Sequence, residues 1–385
     1  MQMDKIGLIS TNLAEKIAMT VTESPYRVTA ETISNTCGQS ISSGGVWNMM
    51  QRLGERLDEE EQYAVKEMHA DRTQGEKIIP VLFEEMDGIW LHMQDSSHKR
   101  MKKQEMKVFT MYEGWDKDQQ RQSTLVGKTM LAGMEPSQLF HEKREALIEK
   151  KYDVDEIQQR ILNGDGGSWI KETYDPDAIF QLDRYHVYQE ILRKINDRSA
   201  QREARNLFEE GKTEELLEFL LVYADSVETT DEKDNRSRNA RELYRYLNNN
   251  KAGLLPYQKQ GKKISEPGEG IVYKNMGVQE SQNCTVITMR MKHRRMRWSV
   301  KGASNMAKVL CCKENKELCR TIEKYTDGLI FNARMNEIME TLSAAKTSKK
   351  DGKGNRYVEL MRGHVPLIDA AATASRKAFR NAFIR

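Results

Sequence analysis

The chain has 385 residues, 38% of them hydrophobic and 31% charged, with a formal net charge of +3. That length buries one large core or two to three smaller ones, and the few prolines (7) and aromatics (7%) favour helices over an all-β build. No apolar run approaches the roughly 18–20 residues that span a bilayer, and Met1-Gln2-Met3-Asp4-Lys5 lacks the charged-then-apolar order of a secretory signal, so no membrane partner is expected.

Residues 4–70 read as helices. Ile6, Leu8, Leu13, Ile17 and Met19 give a rough amphipathic stripe that Ser24-Pro25 breaks. A short helix over 28–36 reaches Cys37-Gly38, and Ser42 is placed to N-cap a third helix carrying Val46, Trp47, Met50 and Leu53. Helix, glycine-containing turn and capped helix make the helix-turn-helix plan, whose second helix enters a major groove. A plain three-helix bundle has the same pattern.

From Ile78 the period changes. Val81, Phe83, Glu85, Asp87, Ile89, Leu91 and Met93 fall on one face of a long strand, with a bend at Gly88. Residues 107–113 form a second strand, 124–131 a weaker third and 138–151 a helix. A strand over 160–163 ends at Gly164-Asp165-Gly166-Gly167, and strand 178–182 leads into helix 184–195. Three antiparallel strands are followed by two that need helical crossovers, an order that matches the RNase H-like plan. Residues 197–250 are helical, with Leu207, Leu216, Leu217, Phe219, Leu220 and Leu221 apolar and 231–238 a polar break. A Lys/Gly/Pro loop over 258–270 precedes a return to helix near Gly277. Residues 346–354 read as a linker, and 368–384 as an Ala-rich basic helix.

The expected class is α+β (mixed). A helical, helix-turn-helix-like region (1–75) precedes an RNase H-like domain in two parts (76–197 and 271–330). An all-helical insertion (198–270) separates the parts, and a basic helical region (331–385) follows.

Three carboxylates stand out. Asp87 sits in a strand otherwise apolar on its face, where an ionised group is costly unless a cation or hydrogen bonds hold it. Asp165 lies between glycines at a strand end, where a metal or phosphate can approach closely. Glu280 is expected to share a helical face with Cys284, Ile287 and Met291. Each has a bland explanation alone: strand bend, turn acid, surface glutamate. In the order Asp, Asp, Glu on first strand, fourth strand and late helix they match the RNase H arrangement. Two Mg²⁺ ions about 3.5–4 Å apart, held by such carboxylates, activate an oxygen nucleophile and stabilise a leaving oxygen in phosphodiester hydrolysis.

From Ser281 to Lys313 there is no acidic residue, while Arg290, Lys292, Arg294, Arg295 and Arg297 crowd together. Such a block is a phosphate-binding face or a solvated one. Trp298 is a candidate to stack on a flipped or unpaired base, with core packing the alternative. The five cysteines form no CxxC pair, which points away from a zinc site or disulfide framework and toward a reducing cytoplasm.

Four motifs carry a resemblance. They are Glu85-Met86-Asp87-Gly88 with the strand to Gln94; Asn163-Gly164-Asp165-Gly166-Gly167-Ser168-Trp169-Ile170-Lys171; Phe180-Gln181-Leu182-Asp183-Arg184-Tyr185-His186; and Gln279-Glu280-Ser281 running into Arg290-Met291-Lys292-His293-Arg294-Arg295-Met296-Arg297-Trp298-Ser299. Over about residues 20 to 320 the sequence resembles the ISLre-type bacterial insertion-sequence transposases, long classed as an uncharacterised protein family and akin to Mutator-like DDE transposases.

The resemblance implies that Asp87, Asp165 and Glu280 are a catalytic, metal-binding triad for Mg²⁺, with Mn²⁺ able to substitute. Asp183 and His186 would support it in a C/DxxH-like signature, although Asp183 can equally N-cap the helix at Arg184. Arg290, Lys292, Arg294, Arg295, Arg297 and Trp298 would bind DNA. The implied activity is cleavage at element ends and joining of 3′ ends to target DNA. Double-stranded DNA (terminal inverted repeats and target) would be the partner, and a homodimer or higher oligomer the working form, in the cytoplasm at the nucleoid. Two other readings are a catalytically inactive, transposase-derived DNA-binding protein and an RNase H-like nuclease. The start close to the helix-turn-helix motivates the first, because relatives commonly carry more chain upstream.

Overall fold

The Ser10 hydroxyl accepts a hydrogen bond from the Leu13 amide (3.3 Å) and opens the first helix, α1 (Thr11–Val21). The computed structural model describes residues 10–326 except 39, 119–123, 172–174, 176 and 230–233. Ile6, Leu8, the 346–354 linker and the 368–384 helix lie outside the described residues. After α2 (Tyr26–Cys37), Gly38 takes a left-handed conformation (φ 65°) that ends the helix. Ser42 caps α3 (Ser43–His69) by accepting from the Gly45 amide (3.0 Å), as its sequence position predicts. At 27 residues, α3 is much longer than a helix-turn-helix reading requires.

The central sheet follows. It uses β1 (Val81–Leu91), β2 (Gln104–Tyr112), β5 (Thr129–Gly133), β6 (Gln159–Gly164) and β7 (Ile179–Leu182), in the order β5-β2-β1-β6-β7. β1, β2 and β5 are antiparallel neighbours, while β6 is parallel to both β1 and β7. The mixed sheet is the one the sequence predicts, with one difference. The expected strand over 124–131 is two short strands, because Gly127 turns the chain at φ 65°. Its first part, β4 (Leu125–Val126), joins β3 (Gly114–Asp116) and β8 (Ile271–Val272) in a small second sheet. Helix α4 (Ser137–Lys151) leads into β6, the single turn α5 (Ser168–Lys171) separates β6 from β7, and α6 (Arg184–Lys194) follows β7.

Alternation along β1 divides the core. Ile89, Leu91 and Met93 face a cluster with Met106 and Val108 of β2, the apolar stripes of α1–α3, and Met306 and Leu310 of α12 (Val300–Glu314). The N-terminal helices therefore share a core with the sheet and do not form a bundle of their own. Leu82 and Met86 face the other way, against Phe109, Leu131, Phe140 and Ile148. Helices α7 (Arg198–Glu210), α8 (Thr213–Ser226) and α9 (Arg236–Asn249) close a separate cluster of Leu207, Leu216, Leu220, Leu243 and Leu247 against Val187 and Ile191 of α6. The chain returns to the sheet through α10 (Gln279–Gln282), a π-helical segment (Asn283–Thr288) and α11 (Met289–Met291), and the described part closes with α13 (Leu318–Thr326).

Candidate active site

Register places three aspartates side by side. Met86 of β1 is opposite Gly164 of β6, and Gly164 is opposite Leu182 of β7. Asp87, Asp165 and Asp183 each come one residue later, so they form a row where the parallel strands end. Carboxyl ends of parallel strands are where open α/β sheets place their ligands.

Each aspartate is held by neutral donors. Asp87 Oδ2 accepts from Asn283 Nδ2 (2.6 Å), and its Oδ1 accepts from the Gly88 amide (2.7 Å) and lies 3.6 Å from His186 Nε2. Asp165 Oδ1 accepts from the Gly167 amide (2.8 Å), while its main-chain oxygen accepts from the Tyr246 hydroxyl (2.8 Å). Between them Gly166 stands at φ 83°, where a Cβ would also collide with the Asn250 side chain. Asp183 Oδ1 caps α6 by accepting from the Tyr185 amide (2.8 Å), and its Oδ2 accepts from Asn163 Nδ2 (3.3 Å). Capping and proximity to the site thus coincide in one residue.

Electrostatics bind the row together. Burial alone lowers the His186 pKa, but the Asp87 hydrogen bond and the charges of Asp87, Asp183 and Asp165 raise it to about 9. Asp183 is pushed upward by burial first and by Asp87 in addition. Glu105 of β2 is raised by burial, with Asp165 and Asp87 adding to the shift. Its carboxylate lies over Gly88, and a Cβ there would collide with it. Sequence reasoning missed Glu105 because the second strand was expected to begin at Lys107. β2 begins at Gln104, and in that register Glu105 lies opposite Trp90.

Beneath the row is a buried polar layer that sequence reasoning also missed. The Glu85 carboxylate accepts from Tyr112 Oη (2.6 Å), Asn163 Nδ2 (3.1 Å) and the amides of Gly277, Val278 and Gln279 (3.1–3.2 Å). These amides tie the approach to α10 onto β1. The inward stripe of this helical segment runs Gln279, Asn283, Val286, Ile287, Arg290 and Met291. Cys284 is exposed, and Glu280 is exposed one position off the stripe, so the expected shared face of Glu280, Cys284, Ile287 and Met291 is not formed. The ligand atoms of Asp87, Asp165 and Glu280 do not all lie within 4.8 Å of one another.

A family described as Uncharacterised protein family (UPF0236) matches residues 1–326. The chain belongs to that family. A UPF0236 protein of Caldanaerobacter subterraneus subsp. tengcongensis is 23% identical over 354 residues, covering 88% of this chain and 67% of the relative. Another from the same organism is 24% identical over 215 residues, 54% of this chain and 43% of that protein. The chain thus spans about two thirds of the first relative and under half of the second.

In this UPF0236 chain the basic segment divides by burial. Lys292, Arg295 and Arg297 are exposed, and the Arg294 side chain lies outside the described residues. Arg290 and Trp298, expected at a DNA surface, are buried instead. Arg290 Nε donates to Val21 O (2.6 Å) with its guanidinium over the Tyr26 and Trp298 rings, and Trp298 Nε1 donates to Met291 O (2.9 Å). They join the N-terminal helices to the segment after Glu280.

Among the described residues, the acidic group with the spacing of a metal site is not the aspartate row but Asp58, Glu61 and Glu135. Two lysines already offset two of its three charges. Lys143 Nζ lies 2.6 Å from Asp58, 2.8 Å from Glu61 and 2.6 Å from Glu135, and Lys308 Nζ pairs with the same three carboxylates. Both lysines are buried, so the cluster is an ion network joining α3, α4 and α12. The buried Cys311 and Cys312 lie in the apolar core, away from the aspartate row.

Proposed function

We propose that the chain is a DDE-type transposase of the ISLre kind with an RNase H-like catalytic domain, acting on DNA through Mg²⁺-dependent phosphodiester chemistry. The observation that carries this reading is the row of Asp87, Asp165 and Asp183 at the carboxyl ends of parallel strands in a mixed β5-β2-β1-β6-β7 sheet. Burial first, and neighbouring aspartates in addition, raise Asp183 and Glu105, while against burial the same aspartates raise His186 and make it a cation beside them. Hard carboxylate oxygens with no thiolate beside them suit Mg²⁺.

Asp87 and Asp165 would hold the metal, with Glu280 supplying the third carboxylate from the helix that Asn283 fastens to Asp87. Two ions about 3.5–4 Å apart join carboxylates more widely spaced than a single ion does. The metal supplies activation of the attacking oxygen and stabilisation of the leaving one. The chain's own residues orient and hold protons. Asn163 and Asn283 aim the Asp183 and Asp87 carboxylates, Tyr246 holds the Asp165 main chain, and His186, with its pKa raised to about 9, carries a proton on both ring nitrogens at neutral pH. In hydrolysis, water attacks phosphorus, one P–O bond forms, one breaks, and a 3′-hydroxyl leaves. In joining, that hydroxyl attacks a target phosphodiester with the same balance, so no other co-reactant is consumed.

A further support comes from the relatives. One relative stands for eleven labels from a single organism, and another for four. Many copies in one genome are what a mobile element leaves behind. The test is incubation of the full chain, in Mg²⁺, with a duplex carrying the sequence that flanks its own gene. Strand cleavage and joining are expected, and Asp87→Asn and Asp165→Asn should reduce both to background. Retained activity in those variants refutes the site, and cleavage without joining leaves a nuclease.

A further inference from the structure

The antiparallel pair β1–β2 outruns the rest of the sheet. Pairing of β1 with β6 stops at Met86↔Gly164, whereas pairing with β2 continues to Leu91↔Gln104. The hairpin therefore projects past the aspartate row. On the β1 face of Gly88, alternate residues are Trp90 and then His92. Trp90 is 53% exposed, and Trp47 on α3 is the other exposed tryptophan at 46%.

Beyond Trp90 the surface turns basic. Arg100 pairs with Gln94, Lys103 precedes Gln104, the partner of Leu91, and Arg297 precedes Trp298, the partner of Met93. After slight desolvation the charges of Lys103, Arg100, Arg297 and Lys292 lower the His92 pKa. They come from two chain segments fastened by backbone hydrogen bonds, Trp298 N to His92 O (3.0 Å) and Gln94 N to Trp298 O (2.9 Å). The loop is ordered from within as well, since Asp95 Oδ1 accepts from the Ser97 and Lys99 amides (2.9 Å each). That occupies the one acidic side chain of residues 92–103. From Gly88 to His92 is about 13 Å of strand, the axial rise of roughly four base pairs.

We infer that this face of the β1–β2 hairpin, opposite the one that carries the Asp87 side chain, is a track for one DNA strand, whose phosphates lie on Arg100, Lys103, Lys292 and Arg297 while Trp90 stacks on an unpaired base. The inference rests on the DNA-cleaving reading above but concerns a surface outside the carboxylates. Charge complementarity supplies the salt-dependent affinity, and an exposed indole beside a basic groove is a stacking platform.

The experiment separates binding from chemistry. Anisotropy of labelled DNA is measured with the Asp165→Asn chain in EDTA, on a blunt duplex and on one with a short single-stranded overhang. Arg100→Glu with Lys103→Glu, and separately Arg297→Glu, should weaken both substrates about tenfold or more and flatten the salt dependence by roughly 0.9 log unit per lost contact. Trp90→Ala should weaken the overhang substrate about fivefold to a hundredfold and leave the blunt one unchanged. Lys212→Glu on the helical insertion, a charge-reversal control, should change neither. The track is overturned if the hairpin variants bind like the parent with unchanged melting temperature, if the parent binds no DNA, or if RNA or anionic phospholipid vesicles bind more tightly than DNA. Failure of the active-site reading looks different: DNA binding persists, with no cleavage by the unsubstituted chain in Mg²⁺.

Discussion

Asn283 donates to Asp87 and Tyr246 donates to the Asp165 main chain, so uncharged groups from two late segments aim the two strand aspartates. Removing such a supporting partner typically costs 10–100-fold in metal affinity or activity. Asn283→Leu should therefore lower Mg²⁺-dependent cleavage by about that factor and raise the Mg²⁺ concentration needed for half-maximal rate. A purely structural defect would lower the melting temperature without moving that midpoint. At this scale the sequence was legible where one residue type violates its surroundings. Asp87 in an apolar strand face and Asp165 between glycines both fall in the row. Asn163, Asn283, Tyr246 and Glu105 were not legible, because each is an ordinary polar residue until register and packing bring it to a carboxylate. Arg290 and Trp298 show the converse error. A run without acids records charge and says nothing of burial, and cation–π stacking and main-chain acceptors take both residues into the core.

Elements are joined by two lysines. Burial pushes the Glu135 carboxyl up, but Lys308 and Lys143 outweigh it and hold it below the ordinary carboxylate range, and Asp58 is lowered with the same balance. Folded-state pKa values below the unfolded ones give stabilisation that is complete above the unfolded values, about 4. It is lost as pH falls through the lowered folded values. The difference in urea midpoint between the parent and Lys308→Ala, which isolates this network, should accordingly be flat from pH 8 to 5 and shrink below pH 4. Lys308→Ala leaves three half-buried carboxylates with one lysine between them and should cost about 1–3 kcal/mol. Equal urea midpoints for this variant and the parent would show that the network contributes nothing. Helix ends and strand faces were readable from caps and alternation, as with Ser42 and Val81 through Met93. The stripe after Gly277 was displaced by one position, since a rough apolar period there does not reveal that Gln279 and Asn283 are the inward residues.

For the whole molecule, the aspartate row should make the fold metal-responsive. A cation that binds only the native state stabilises it by about 2.7 kcal/mol at 100 times its dissociation constant. Millimolar Mg²⁺ should raise the melting temperature of the chain, and Asp87→Asn with Asp165→Asn should remove that increment. An unchanged increment would place the responsible ion elsewhere. Sheet order was legible because the strand and helix sequence constrains it, whereas the sharing of one core by the N-terminal helices and the sheet was not, because Met50, Leu53 and Met306 find each other only in three dimensions.

The Glu85 carboxylate waits for amides 192 residues further along, at Gly277. At ribosomal speeds of about 5–20 residues per second, that interval lasts roughly 10–40 s. Asp87 is made at the start of that interval and Asp165 part-way through it, and until its end the helical segment whose Asn283 holds Asp87 is missing. On the proposed function, a fragment released by a premature stop before Gly277 would lack cleavage activity.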